Sequence, residues 1–189
     1  MSHRQCVFAL VLFVPLLAVN APAQLKAIDL QGKTIDLSQA AGNRANVLIF
    51  VRTDCPISNR YAPVLRKLSS EYAKTSRFWL VYPDNTESAT AIEEHLRDYN
   101  YKNISAIRDP QHTLVRIARA QITPEAAVFD HHARLLYHGR IDNWYQSFGH
   151  SRPRPTTHEL EEAIRAIRDH RPVAVAETKA VGCYIADVQ

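Results

Sequence analysis

The feature that most constrains this chain is an apolar strand that runs into a cysteine at the start of a helix. Positions 47–51 read Val-Leu-Ile-Phe-Val, and five consecutive apolar residues indicate a strand buried on both faces. The polar turn 52–54 follows, and after it come Cys55 and Pro56. Proline is favoured in the first turn of a helix, where its missing N–H costs no hydrogen bond. The stretch therefore predicts a strand, a short turn and a helix that begins at Cys55.

This position favours ionisation of the thiol. The first N–H groups of a helix are unpaired and the positive end of the helix dipole lies there, so both stabilise a thiolate. We expect the pKa of Cys55 to lie below that of a free cysteine, and we expect the adjacent polar turn to leave the sulfur accessible. A buried, inert thiol is the alternative. Ser58 stands where a second cysteine would complete a C-x-x-C pair, and its hydroxyl can hydrogen-bond a thiolate but cannot form a disulfide.

The first 23 residues have the composition of a secretory signal peptide. Residues 6–19 are apolar except for one proline, Arg4 precedes them, and positions 21–23 read Ala-Pro-Ala, a cleavage site of small residues. The apolar run is shorter than the ~20 residues that a membrane-spanning helix needs. We therefore predict cleavage after Ala23 and a periplasmic or secreted protein.

Removal of this leader leaves two cysteines, Cys55 and Cys183. An even pair in an oxidising compartment is a candidate disulfide. Cys183 lies in a tail beyond the last predicted helix, and Gly182 before it is expected to allow a turn. If the bond is permanent, both cysteines are structural. If it opens and closes, Cys183 is the resolving thiol that Ser58 cannot be.

The rest of the chain alternates between strand and helix patterns. A hairpin with Gly32 in its turn is predicted at the N-terminal end, and further strands are predicted at residues 78–82, 104–107, 126–129 and 135–137. Amphipathic helices separate most of these strands, and one more follows them. This order predicts an α/β fold, a sheet with helices on both faces, in one domain over residues 24–172. The tail 173–189 has no helical apolar period and is expected to lie extended towards the site.

Four details of this prediction concern single segments. Residues 40–45 are expected to form a polar connector, and Pro63 is expected to kink the helix after Cys55. His95 is placed on an exposed helix face. The loop 142–155 is long for a compact domain, so it is expected either to pack on the domain as a flap or to contact a partner.

Several motifs in their order along the chain resemble one family. They are C-P-x-x-x-x-Y-A-P at residues 55–63, Thr123-Pro124 at the start of a strand, Gly-Arg-Ile-Asp at 139–142 and Ala-Val-Gly-Cys at 180–183. Together they resemble the secreted bacterial redoxins, thioredoxin-like proteins of the alkyl hydroperoxide reductase/thiol-specific antioxidant and thiol-disulfide interchange type. The resemblance covers nearly all of the mature chain. It implies a thioredoxin-like fold with a mixed central sheet flanked by helices, an N-terminal hairpin and a C-terminal tail.

The resemblance also implies a site. Thr123 and Pro124 are expected to form a cis-proline pair against the Cys55 sulfur, where open backbone groups pair with an incoming peptide as an added strand. The expected catalytic residues are Cys55 and Cys183. The expected supporting residues are Thr53, Pro56, Ser58, Thr123 and Pro124.

Three functions remain in competition at this point. The leading one is an extracytoplasmic thiol-disulfide oxidoreductase with Cys55 as the nucleophile and Cys183 as a possible resolving thiol. The second is a thiol peroxidase, an antioxidant of the peroxiredoxin type, although Thr53 stands one position out of register with the threonine of that family. The third is a non-catalytic metal-binding or adaptor module with a structural disulfide. Copper chaperones of this fold need C-x-x-x-C, and position 59 is asparagine.

The expected partners follow from the same chemistry. They are protein thiols or disulfides, or a small peroxide, together with a reducing partner, and no cofactor or metal is predicted. The formal net charge of +4 is too weak a bias to indicate nucleic-acid binding.

Overall fold

The computed structural model describes residues 24–186, which are built around a seven-stranded sheet. The predicted signal peptide, residues 1–23, lies outside the described residues. The division of the chain into a leader, a domain over 24–172 and a tail over 173–189 stays a prediction. Within the described residues no helix is long and apolar enough to cross a membrane.

The strands of the described part are, in chain order, β1 (Lys26–Ile28), β2 (Thr34–Asp36), β3 (Ala45–Phe50), β4 (Ser76–Tyr82), β5 (Ser105–Arg108), β6 (Ile122–Thr123), β7 (Glu125–Phe129), β8 (Leu135–Gly139), β9 (Tyr145–Ser147), β10 (His150–Ser151) and β11 (Cys183–Tyr184). The large sheet has the order β2-β1-β5-β4-β3-β7-β8. Strands β3, β4 and β5 are parallel neighbours, whereas β1, β2, β7 and β8 pair antiparallel. The predicted mixed sheet with an N-terminal hairpin is confirmed.

The central strand β3 is buried along its whole length, as its sequence predicted. Side chains alternate between the two faces of a strand, so neighbouring residues of β3 enter different cores. Val47 and Ile49 belong to one apolar cluster, and Leu48 and Phe50 belong to the other. A strand with apolar neighbours on both faces is fixed in position, and so is the turn at its end.

Helices cover both faces of the sheet. Their bounds are α1 (Leu37–Ala41), α2 (Pro56–Arg60), α3 (Ala62–Glu71), α4 (Ala89–Asp98), α5 (Thr113–Ala118) and α6 (Glu159–Arg168). Helices α3, α4 and α6 contribute Leu65, Ile92 and Ile164 to the cluster that contains Val47. Helices α1 and α5 contribute buried residues to the opposite cluster. The predicted three-layer arrangement is therefore present.

The connector predicted at 40–45 is wrong at its beginning, because residues 37–41 form the helix α1. The Asp36 carboxylate accepts hydrogen bonds from the backbone N–H groups of Ser38 and Gln39 and so caps this helix. Leu37 and Ala41 are its buried residues. These two buried residues lie one turn apart in a five-residue helix, which is too short to show a helical period in the sequence.

The helix after Cys55 is interrupted rather than only kinked. Tyr61 ends α2 and begins α3, and Pro63 lies within the first turn of α3, where it needs no backbone donor. The Tyr61 hydroxyl donates a 2.6 Å hydrogen bond to the Asp142 carboxylate, and its ring lies against Trp144 and Tyr145. Tyr61 therefore ties the helix interruption to the loop 142–155.

That loop packs on the domain through its first part. It contains the short antiparallel pair β9–β10, and the Trp144 indole N–H donates to the backbone carbonyl of Arg152 at 2.9 Å. Asn143 is buried and fixes the far end of the loop by accepting the Thr156 N–H. Phe148, at the tip, is 70% exposed. The flap interpretation is correct for the base of the loop.

We expect replacement of Tyr61 by phenylalanine to destabilise the protein. The buried Asp142 carboxylate would lose the O–H donor and keep the Trp144 N–H. A hydrogen bond to a charged group contributes about 1.5–3 kcal/mol, so the free energy of unfolding in urea should fall by roughly that amount. Tyr184→Phe is the control, because that side chain is 78% exposed. Equal stabilities for the two variants would contradict the anchoring role of Tyr61.

Candidate active site

Cys55 lies where the sequence predicted it, at the N-cap of α2. Pro56 is the first helical residue, and the Cys55 carbonyl already accepts the Asn59 N–H at 3.0 Å. The Cys55 backbone is extended and its side chain makes no capping hydrogen bond. The sulfur is consequently available for other contacts at the positive end of the helix.

The expectation that Cys55 is accessible is wrong, because only 1% of the residue is exposed. Its sulfur lies 3.2 Å from the Thr123 carbonyl oxygen and 2.8 Å from the Cys183 sulfur. Both neighbours come from distant parts of the chain. The tail thus covers the sulfur in spite of the polar turn before it.

The tail reaches Cys55 in two steps. The His138 N–H donates to the Ala176 carbonyl and the Thr178 N–H donates to the His138 carbonyl, so the tail first runs along the edge strand β8. It then pairs through β11 with β6, with Cys183 opposite Thr123. Up to residue 186, where the described part ends, the tail lies extended towards the site as expected. Cys55 and Cys183 are both free thiols in this structure.

The two thiols have opposite pKa shifts. Burial opposes ionisation of Cys55, but hydrogen bonds from Cys183 and Ser58 outweigh it and lower its pKa below the ordinary value. For Cys183, burial and the adjacent Cys55 raise the pKa to about 12. When the pair loses one proton, the negative charge therefore lies on Cys55. Cys183 keeps its proton and donates a hydrogen bond to the Cys55 thiolate.

Ser58 and the proline pair surround the same sulfur. Ser58 is buried one helical turn after Cys55 and lowers the pKa of that thiol, although its hydroxyl meets no hydrogen-bond partner in the described part of the chain. The Thr123–Pro124 peptide bond is cis, as the resemblance implied. The Thr123 hydroxyl donates to the Cys183 carbonyl at 3.4 Å. Of the predicted supporting residues, Ser58 and Thr123 thus contact the two cysteines.

The turn before Cys55 is held by a network that the sequence analysis missed. The Thr53 N–H donates to Glu87 at 2.6 Å, and the Thr53 carbonyl accepts the Asn59 side-chain amide at 3.0 Å. Asn59 accepts at 2.8 Å from His95, whose other ring nitrogen lies 2.8 Å from the Tyr82 hydroxyl. Thr53 therefore supports the site through its backbone.

His95 was expected on an exposed face, and that expectation is wrong. Only 4% of it is exposed, and burial lowers its pKa. Burial also raises the pKa of Glu87. The Thr53 N–H stabilises the Glu87 carboxylate and acts in the opposite direction, but burial outweighs it. One signal was available in the sequence: Asn59 lies one helical turn after Cys55, so its side chain had to lie close to the site.

A second polar group lies behind the proline pair. Glu125 follows Pro124 directly, is 6% exposed, and accepts the N–H groups of Gln121 and Ile122. His138 lies 3.7 Å from this carboxylate and 3.3 Å from that of Glu177 in the tail. Burial raises the pKa of Glu125 despite these partners. Within residues 24–186, no three histidine, cysteine, aspartate or glutamate side chains converge as metal ligands.

The sheet order, the cysteine at the helix start and the adjacent cis-proline define a thioredoxin-like fold. The sequence agrees, since the Redoxin family profile matches residues 17–144, more than half of the chain. The chain belongs to the Redoxin family. The family and fold predicted from the motifs are confirmed. A search of curated protein sequences found no significant match.

Solved structures share the fold. A hypothetical protein from Sinorhizobium meliloti 1021 is 20% identical, with a TM-score of 0.71 over 87% of this chain and 91% of that chain. A secreted disulfide oxidoreductase of Mycobacterium tuberculosis, described as homologous to Escherichia coli DsbE, is 17% identical, with a TM-score of 0.54 over 78% and 98%. The exposed lipoprotein thioredoxin Etrx1 of Streptococcus pneumoniae is 16% identical, with a TM-score of 0.57 over 78% and 99%. At these identities the likeness concerns the fold.

The opposite pKa shifts predict the titration of the reduced protein. As the pH rises, thiolate absorbance near 240 nm should first appear from Cys55, with a midpoint below the value of about 8.5 for a free cysteine. Cys183 should remain neutral through that range. In Cys55→Ser this first step should be absent, because burial still raises the pKa of Cys183. A first midpoint at or above that of a model thiol would contradict the assignment of the thiolate to Cys55.

Proposed function

We propose that this redoxin is an extracytoplasmic thiol-disulfide oxidoreductase, with Cys55 as the nucleophile and Cys183 as the resolving thiol. One observation carries the proposal: the two sulfurs lie 2.8 Å apart, and their pKa values shift in opposite directions. A disulfide needs about 2.05 Å between its sulfurs, so only a small approach separates this pair from a bond. Two cysteines that only pack in the interior need no such difference between their pKa values.

The first step is attack of the Cys55 thiolate on a substrate disulfide. A bond forms between the Cys55 sulfur and one substrate sulfur, and the substrate's own S–S bond breaks. The other substrate sulfur leaves with the electron pair as a thiolate and takes a proton from solvent. The low pKa of Cys55 supplies the nucleophile, and the Ser58 hydroxyl stabilises it until it reacts.

The second step is attack of Cys183 on the Cys55 sulfur. Cys183 gives its proton to solvent, the Cys55–Cys183 bond forms, and the second substrate sulfur leaves as a thiolate. In the mixed disulfide Cys55 carries no charge, so the part of the Cys183 pKa shift that comes from Cys55 disappears. The substrate has then gained two electrons and the protein is oxidised. A reducing partner returns the pair to thiols, and the reverse order of steps oxidises a substrate dithiol.

The proposed location outside the cytoplasm rests on two features of the sequence. The leader composition of residues 1–23 and the cysteine pair both suit an oxidising compartment outside the cytoplasm. The similar protein of Mycobacterium tuberculosis is described as secreted, which supports the same compartment. Protein thiols and disulfides are the proposed substrates.

The test is catalysis of insulin disulfide reduction with dithiothreitol as the reductant. Cys55→Ser should leave only the uncatalysed rate, because no thiolate attacks the substrate. Cys183→Ser, reduced and then freed of dithiothreitol, should complete one exchange with insulin and stall, with substrate linked to Cys55 and detectable by mass spectrometry. Ser58→Ala is the matched control and should retain some activity with a higher Cys55 pKa.

Each alternative function gives a different pattern. If Cys183→Ser turns over like the parent, Cys183 is not the resolving thiol and a partner supplies that sulfur. If hydrogen peroxide oxidises Cys55 and insulin does not react, the protein is a thiol peroxidase. If the Cys55–Cys183 bond of the isolated protein resists mild reduction, the pair is structural and the proposal fails.

A further inference from the structure

The tail pairs with the strand that precedes the cis-proline, and this pairing has a defined register. Cys183 lies opposite Thr123, and Tyr184 lies opposite Ile122. The next residue continues the contact, since the Ile185 N–H donates to the Gln121 carbonyl at 2.9 Å. In the described part of the chain, β6 pairs with no strand except β11. The tail is therefore seated on an edge that would otherwise offer its backbone groups to an extended peptide.

The contact is closest at Gly182. A Cβ atom there would overlap the Thr123 carbonyl oxygen, and it would lie 2.7 Å from the Thr123 carbonyl carbon and 2.8 Å from Ile122 Cγ2. Two of these atoms belong to the backbone beside Pro124 and cannot rotate away. Any side chain at position 182 therefore forces the two strands apart.

Gly182 is not needed for a turn, contrary to the sequence-based expectation. Its φ lies outside the left-handed region, so another residue could adopt its backbone conformation. The close approach to Thr123 alone requires glycine. This separates Gly182 from Gly32, Gly42, Gly139 and Gly149, which all have positive φ.

The residues after Cys183 meet different surroundings. Tyr184 is 78% exposed, so the edge places no demand on the position that follows the cysteine. Ile185 is 7% exposed and belongs to the apolar cluster on the α1 and α5 face of the sheet. Along positions 182–185 the edge strand β6 thus accepts, in this order, a glycine, a cysteine, any residue and an apolar residue.

We propose that the edge Ile122–Thr123, where the family resemblance already implies docking of an extended peptide, selects peptides that carry this Gly-Cys-x-apolar pattern, and that the tail is its internal occupant. The proposal rests on the proposed function, since it names the class of disulfide that reaches Cys55. A peptide with a side chain before its cysteine cannot bring its sulfur to the position that Cys183 holds. Gly182 is the specificity-determining residue of the internal reaction.

An external peptide must displace the tail. The tail stays tethered upstream, where the Thr178 hydroxyl contacts the Tyr137 hydroxyl at 2.8 Å and accepts the Arg140 N–H at 3.1 Å. A short tether gives the displaced end an effective concentration on the order of millimolar, so the tail competes well with dilute peptides. Release of the tail is therefore a condition for fast exchange with a protein substrate.

The experiment compares two peptides, Val-Gly-Cys-Tyr-Ile and Val-Ala-Cys-Tyr-Ile, each as a mixed disulfide with 5-thio-2-nitrobenzoate. The Cys55 thiolate attacks the peptide sulfur, a Cys55–peptide disulfide forms, and the coloured thiolate leaves with the electron pair. All full-length variants carry Cys6→Ser and Cys183→Ser, so that Cys55 is their only cysteine. The added change Gly182→Ala releases the tail, and Tyr184→Ala is the matched control that leaves it seated.

With Gly182→Ala the glycine peptide should react about tenfold or more faster than the alanine peptide, because the misfit of the alanine peptide loses backbone hydrogen bonds to the edge. The glycine peptide should also react faster with Gly182→Ala than with Tyr184→Ala. With Cys183 present, Gly182→Ala should slow closure of the Cys55–Cys183 bond by a similar factor. Circular dichroism and thermal unfolding check that each variant folds.

The outcomes separate this proposal from the function on which it rests. Equal rates for the two peptides, or closure unchanged by Gly182→Ala, would overturn the docking site while Cys55 remains a nucleophile. Reaction of Cys55 with the free reagent 5,5′-dithiobis(2-nitrobenzoate) but with neither peptide would overturn it as well. If Cys55 reacts with none of the three, the proposed function fails, and the docking proposal fails with it.

Discussion

The contact between Cys55 and Cys183 depends on strand pairing between β6 and β11, and the properties of the site follow from that pairing. A thiolate in a buried place is costly, since burial favours the neutral form. The Cys183 thiol, which donates to the Cys55 sulfur, and the adjacent Ser58 offset this cost and lower the pKa of Cys55. The donor on Cys183 reaches the sulfur only because β11 lies in register with Thr123. The chemistry of Cys55 is thus coupled to whether the tail is seated.

The two sides of this contact are held with different strength. Cys55 follows β3, which is buried on both faces between β4 and β7, and its turn is tied to Glu87 and Asn59. Cys183 stands on a two-residue strand with one neighbour, and the residue after it is exposed. Segments with few buried contacts open at lower free energy than core strands. In the proposed exchange cycle, motion therefore belongs to the tail, and Cys55 remains in place.

The polar residues around the site have a shared cause. Parallel strands end at the same edge of a sheet, so the turns after β3 and β4 meet, and this brings Glu87 to Thr53. Tyr61 extends the same arrangement to the loop 142–155 through Asp142, whose pKa is raised by burial. Tyr61 and Asp142 are buried and paired with each other, as low-dielectric surroundings require, and the partly buried Glu87 accepts the Thr53 N–H. Polar contacts thus hold both the turn before Cys55 and the helix interruption at Tyr61.

The sequence determined the elements whose signal is local. The apolar run of β3 gave the central strand, and Pro56 gave the helix start at Cys55. The order of strands, helices and motifs gave the thioredoxin-like class. The tertiary structure decided everything that depends on residues far apart in the chain. It buried Cys55 under the tail, it enclosed His95 between Asn59 and Tyr82, and it made Gly182 necessary through a close approach rather than a turn. Periodicity and capping patterns report neighbours within a few residues, whereas Cys55 and Cys183 stand 128 positions apart and meet only when the sheet has formed.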